Sequence, residues 1–164
     1  MAYLPSHKMS DLATVHFRIL LVLSRFGIGL GFGEKTIAEV CNENNVDVET
    51  FLAIVNLLLL GENVSGKNIS NISPEALISY LQRSHEYFLE FKLPGIRREL
   101  ESVLKCNKNS LNNAVLNYFD EYVEEVRKHM TYEEIKVFPY IRDLISGKNN
   151  RKYNIDIFRR HHDQ

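Results

Sequence analysis

The chain has 164 residues, of which 20 are basic and 21 acidic, so its formal net charge is −1. This length fits a single domain, or a small domain joined to a larger one. A charge near zero gives no electrostatic case for nucleic acid or an anionic membrane as a partner, and neither partner is expected.

Signals for export, membrane insertion or disulfide bonding are missing from the sequence. The first residues, MAYLPSHKMSDL, lack the basic, apolar and small-residue regions of a secretory signal. The longest apolar run, residues 51–60, is interrupted by Asn56 and is shorter than the roughly 20 residues that a bilayer-spanning helix takes. Cys41 and Cys106 form no CxxC motif and are predicted to be reduced thiols. A cytoplasmic protein is therefore expected.

The first sixty residues predict three helices and a glycine-rich loop. No sustained period-two alternation marks a strand, which favours an all-α fold. Helices are predicted at residues 11–26, 36–44 and 48–60, with Asp47 as the N-cap of the third and Gly61 at its end. The loop GIGLGFGE, residues 27–34, carries four of the eight glycines. A phosphate-binding loop is rejected, because no strand precedes it and Lys35-Thr36 follows Glu34 rather than glycine.

The segment GENVSGKNISNIS is rich in Asn, Ser and Gly and is the predicted linker. The predicted domains are therefore a helical domain at residues 1–64, a linker at 65–72 and a helix bundle at 73–164. Ser73 and Pro74 are an N-cap and a first helical residue. The helix that they begin runs to about Lys105, and Pro94 is expected to kink or split it. Its apolar face contains Leu77, Leu81, His85 and Phe88.

Residues 110–146 predict a long helix that packs antiparallel to the preceding one, because the connection CNKNS is short. Its apolar stripe follows Val115, Phe119, Tyr122, Val126, His129, Glu133, Val137 and Ile141. His129 and Glu133 are four residues apart, so they project side by side and suit a single cation. A carboxylate in an apolar seam costs several kcal/mol unless a metal or a partner charge neutralises it. An imidazolium–carboxylate pair without metal satisfies the same spacing. The neighbouring Glu134 is expected to be solvated, although another rotation of the helix would exchange it with Glu133.

The last segment, IDIFRRHHDQ, predicts the start of another helix that ends without a cap, so the chain is expected to be cut short. If Ile155 and Phe158 face inward, His162 continues their stripe, whereas an inward Ile157 favours His161. His162 is preferred. The predicted metal ligands are therefore His85, His129, Glu133 and His162, a donor set that suits iron, manganese or zinc.

Two segments carry a resemblance to a known family. HMTYEEIKVFPYI resembles the H-x3-E…FP segment of the hemerythrin-like cation-binding proteins, and SHEYFLEFKLPGIRREL resembles the first-helix histidine of that family with its Leu-Pro. Residues 25–58 resemble the short N-terminal domain of the hemerythrin-like di-iron proteins that repair iron–sulfur clusters after oxidative or nitrosative damage. The resemblance implies an up-down four-helix bundle holding two bridged irons, with His85, His129 and His162 as ligands and Glu133 as a bridge.

The sequence departs from that pattern at two places. The glycine-rich loop reads Gly29-Leu30-Gly31-Phe32 where the family has a Cys-Cys pair, so the thiol chemistry of that loop is not carried over. No fourth bundle helix follows Gln164, so the fold is expected to be an incomplete bundle, with two irons in the complete bundle and one or none in this chain. Its exposed face is expected to form a homodimer, exchange helices or pack on the chain's own N-terminal domain.

Two functions are consistent with this sequence. The first is an iron-binding protein of iron–sulfur repair, whose partners are damaged iron–sulfur proteins; an iron-binding repair or sensing role is favoured over that of a turnover enzyme. The alternative is a helical sensing module that binds a regulatory protein partner and has a structural or vestigial metal site.

Overall fold

The computed structural model describes residues 2–61, 71–105 and 111–148. Those residues form α-helices and two five-residue π-helical turns, namely α1 Met9–Val15, α2 Ile19–Phe26, α3 Ile37–Glu43, α4 Val48–Leu60, α5 Pro74–Tyr87, π1 Phe88–Lys92, α6 Leu93–Lys105, α7 Leu111–Tyr132, π2 Glu133–Val137 and α8 Phe138–Ile145. Within these ranges no β-strand occurs, and an isolated bridge joins Lys8 to Thr36. The predicted all-α fold is confirmed. None of the described helices is both long and apolar enough to cross a membrane.

The chain divides into two compact units, Met1–Arg83 and Ser84–Gln164. The division falls inside α5, so the first turns of this helix belong to the first unit. Most of the predicted linker lies outside the described residues, and the predicted domain boundary at residues 65–72 stays a prediction.

The first predicted helix is interrupted, so residues 2–61 form four helices rather than the predicted three. α1 ends at Val15 and α2 begins at Ile19. The break follows Thr14 and Val15, two β-branched residues that lower helix propensity. It also places the His16 ring edge-on to Tyr3, with 5.8 Å between the ring centroids.

The caps of the next two helices follow from local chemistry. α3 begins with a capping box, in which the Thr36 side chain accepts from the Glu39 backbone N–H and the Glu39 carboxylate accepts from the Thr36 backbone N–H. α4 begins at the predicted N-cap Asp47, which accepts from the Thr50 N–H, and ends at Gly61 with φ of 64°. The predicted α4 and its caps are confirmed.

The core of the first unit is formed by buried side chains of α1 to α4. Its fully buried members include Met9, Leu12, Ile19, Leu23, Ile37, Cys41, Phe51 and Val55. Tyr80 of α5 joins the same core and lies 4.9 Å from Phe26, measured between ring centroids.

The start of α5 is capped by Ser73, whose hydroxyl accepts from the Ala76 N–H as predicted for an N-cap.

Asn56 explains why the apolar run of α4 is interrupted. Its side-chain oxygen accepts from the Tyr3 backbone N–H at 2.7 Å, and its amide nitrogen donates to the Tyr3 carbonyl at 3.1 Å. The oxygen and the nitrogen of this buried amide therefore each have a hydrogen-bond partner, as buried polar groups usually do. The two bonds tie the N-terminal segment to α4.

In the second unit, the two long helical stretches lie antiparallel. Within this unit, residues 84–105, which continue α5 through π1 into α6, and residues 111–145 are each helical throughout. Contacts between them run in opposite directions along the chain: His85 with Glu133, Glu90 with Arg127, Arg97 with Asp120, and the Leu104 carbonyl with Asn112. The predicted antiparallel pairing of these stretches is present.

A kink or a split of the helix was expected at Pro94. The helix is not split there, because π1 precedes the proline. In π1 the Leu93 N–H donates to the Phe88 carbonyl, five residues earlier. A proline lacks an N–H and clashes with the preceding turn of a regular α-helix, and the wider π turn accommodates it. Pro139 is preceded in the same way by π2, where the Phe138 N–H donates to the Glu133 carbonyl.

Candidate metal centre

His85, near the end of α5, is the most buried polar residue among those that the structure describes in the second unit, at 6% exposure. Its ring stacks on Phe138, with centroids 5.8 Å apart and planes 19° apart. Phe138 is the aromatic residue of the Phe-Pro pair, and sequence reasoning assigned it no role. Its ring covers one face of the imidazole and limits the access of water to it.

Two neighbouring carboxylates hold the two ring nitrogens of His85. The Nε2 atom lies 3.1 Å from Glu133 Oε2, and the Nδ1 atom lies 3.0 Å from Glu134 Oε1. Burial lowers the pKa of His85, but the hydrogen bonds to these two carboxylates and their negative charges outweigh it and raise the pKa above 6.5. Both contacts favour the protonated form of the metal-free ring, since only an imidazolium donates from both nitrogens and a neutral ring would turn a lone pair toward a carboxylate.

Glu133 connects the two histidines that the sequence predicts as ligands. Its Oε1 atom lies 3.4 Å from His129 Nε2, while its Oε2 atom faces His85. The Glu133 side chain is 17% exposed and that of His129 is 46% exposed. The structure thus brings His85, His129 and Glu133 together, with Glu133 in the middle.

Glu134 is not the solvated residue that the sequence suggested. Its side chain is 39% exposed, but its carboxylate binds His85. Helical periodicity could not assign this contact, because adjacent residues of an α-helix point about 100° apart and only one was expected to face the partner helix. Both glutamates open the π2 turn, a type of segment that occurs frequently at functional sites.

His162 lies outside the described residues. Among those that the structure describes, no group of three or more His, Cys, Asp or Glu side chains is placed to hold a metal ion. Imidazole and carboxylate donors nevertheless fit iron, manganese or zinc in kind, and the ligand assignment stays a prediction.

The fold and this cluster define an all-helical protein with a buried imidazole held by carboxylates of the neighbouring helix. Comparison with protein families gives the more specific result: the model of the hemerythrin HHE cation binding domain matches residues 76–164. The match spans more than half of the chain and includes all four predicted ligands. The chain therefore belongs to the hemerythrin HHE cation-binding family and is a metal-binding helical protein, for which iron is the typical metal.

No significant match was found among curated proteins or among solved structures.

Proposed function

We propose that this chain binds non-haem iron through His85, His129, Glu133 and His162, and that the iron serves the repair of oxidatively or nitrosatively damaged iron–sulfur clusters. The observation that carries the metal site is the burial of His85 against Glu133, with His129 on the other oxygen of the same carboxylate. These donors come from both helices of an antiparallel pair, which is how metal sites in helix bundles are built.

Each residue has a distinct task in this proposal. Glu133 would hold the metal together with His85 and His129. Phe138 shields His85, the predicted ligand that is least accessible to water among those described. Iron would supply the redox and ligand-exchange chemistry, while the helices fix the ligand geometry and the access of solvent.

The repair role rests on the resemblance of the first unit to the N-terminal domain of repair proteins. That unit has a glycine-rich loop, in which Gly27, Gly31 and Gly33 have positive φ, but it lacks the Cys pair of that domain. The proposed partners are damaged iron–sulfur proteins in the cytoplasm, and no thiol of this loop takes part. We also propose homodimerisation through the apolar face of α7, where Val115 and Tyr122 are 44% and 50% exposed.

Iron analysis of the purified full-length chain after anaerobic reconstitution tests the metal site. Stoichiometric iron is expected in the wild type and a large loss in His85→Ala and Glu133→Gln. Glu125→Gln is the matched control, because Glu125 lies on the same helix and is 73% exposed. Iron binding that is equal in all four proteins would contradict the ligand assignment.

The repair role needs its own assay. A dehydratase with an oxidatively damaged [4Fe–4S] cluster should regain activity faster with the iron-loaded chain than with the same amount of free ferrous iron. The Glu133→Gln variant should give no such gain. Iron binding without faster repair would refute the repair role and leave the iron site intact, and would favour the sensing alternative.

A further inference from the structure

The two carboxylates on His85 have different surroundings. Glu133 also faces His129, so its carboxylate borders the space that the two imidazoles share. Glu134 approaches the opposite edge of the His85 ring, at Nδ1, and its side chain is more exposed than that of Glu133. The same ring therefore has one nitrogen directed toward the predicted ligands and one directed away from them.

A histidine binds a metal through one nitrogen only. The other nitrogen usually donates its N–H to a carboxylate or carbonyl, and this bond fixes the tautomer and the ring orientation and raises the basicity of the ligating nitrogen. In this chain Nε2 lies on the side of Glu133 and His129, so Nε2 is the nitrogen that would meet the metal. Nδ1, at 3.0 Å from Glu134 Oε1, is then the nitrogen that keeps its proton.

We propose that Glu134 is a positioning residue that accepts the Nδ1–H of His85 and thereby presents the Nε2 atom to the metal. This inference rests on the proposed iron site and assigns a role to a residue that the ligand set does not include. Glu134 is not itself a metal ligand in this proposal, because its carboxylate lies on the far side of the ring from Glu133 and His129.

The residue order on π2 supports this division of roles. Glu133 and Glu134 are consecutive, so their side chains leave the helix in different directions and reach different edges of the same ring. In π2 the Phe138 N–H bonds to the Glu133 carbonyl, so the turn that carries both carboxylates also carries the aromatic ring stacked on His85. One short segment thus contacts both nitrogens and one face of the imidazole.

The test uses the full-length chain loaded with zinc, a diamagnetic ion that accepts the same donors. The nitrogen chemical shifts of the His85 ring should show a protonated Nδ1 and a metal-bound Nε2. Glu134→Ala should weaken metal affinity by about 10-fold to 100-fold, the effect typical of removing such a partner. Glu134→Gln keeps an oxygen that accepts the N–H, so it should retain the tautomer and lose less affinity than Glu134→Ala.

Glu125→Ala is the control variant, and helicity measured without metal separates a folding defect from a loss of affinity. A metal-bound Nδ1 in the wild type would overturn the proposal without any variant. Equal affinities of Glu134→Ala and Glu125→Ala would also overturn it and leave the iron site standing. Failure of the wild type to bind either zinc or iron would instead refute the proposed function, and this inference with it.

Discussion

Cys41 is predicted to be a chemically inert thiol. Its side chain is fully buried in the core of the first unit. Burial, with a smaller contribution from the negative charge of Asp47, raises the pKa of the Cys41 thiol to about 12 from an ordinary value of 9.0. Because only the thiolate is nucleophilic, a rise of this size lowers the reactive fraction at pH 8 by about 1000-fold.

Alkylation by iodoacetamide at pH 8 measures this effect. In a Cys106→Ser background the native chain should react at least about 1000-fold more slowly than the same chain unfolded in urea, since reaction also requires local opening of the core. The double variant lacking both cysteines gives the background of the assay. A native rate within about tenfold of the unfolded rate would refute the reasoning, and would restore Cys41 as a candidate for thiol chemistry in repair.

Three further predictions concern stability, each measured by urea unfolding of the metal-free chain. Phe51→Ala should cost about 3 to 5 kcal/mol, because Phe51 is fully buried. Thr36→Ala should cost about 0.5 to 2 kcal/mol through loss of its capping bond. Asp120→Asn should destabilise the chain at pH 7 and do so less at pH 2. The reason is that the hydrogen bond to Arg97 and its charge hold the pKa of Asp120 below 3.8, so the stabilisation is present above the unfolded-state pKa and is lost as the carboxylate protonates.

Each of these predictions has a matched control. Leu58, on the same helix as Phe51, is 59% exposed, and its change to alanine should have a much smaller effect. Thr36→Ser keeps the hydroxyl and should keep most of the cap. A loss of stability in Asp120→Asn that is the same at both pH values would rule out the Arg97 ion pair as its cause.

Local signals predicted those helices whose ends are set by local chemistry. The α4 helix begins at the capping residue Asp47 and ends at Gly61 as the sequence indicated. The break between α1 and α2 was missed, because residues 11–26 are apolar on most of the helix surface and the periodicity continues through the break. The conformational restrictions of proline predicted a kink or a split at Pro94 but not the π turn before it. That turn depends on hydrogen bonds that no residue pattern marks.

Helical periodicity predicted one part of the candidate site and not another. Period and antiparallel pairing brought His85, His129 and Glu133 to one place. The contact between Glu134 and His85 depends on how the second helix is rotated at π2, which the spacing of polar residues does not determine.

The same cluster accounts for both interpretations that the sequence left open. Without metal, a protonated His85 donates to both Glu133 and Glu134, so its positive charge offsets one of the two negative charges without a bound ion. With metal, the cation would replace the proton on Nε2, because a ligating imidazole must be unprotonated there, while Glu134 could keep the proton on Nδ1. The hydrogen bonds of His85 are therefore consistent with both an ion pair and a metal site. The family match over residues 76–164 shows a cation-binding family. Proton release when metal binds to the metal-free chain is the signature expected if His85 is a ligand, and an ion pair without a metal role would not produce it.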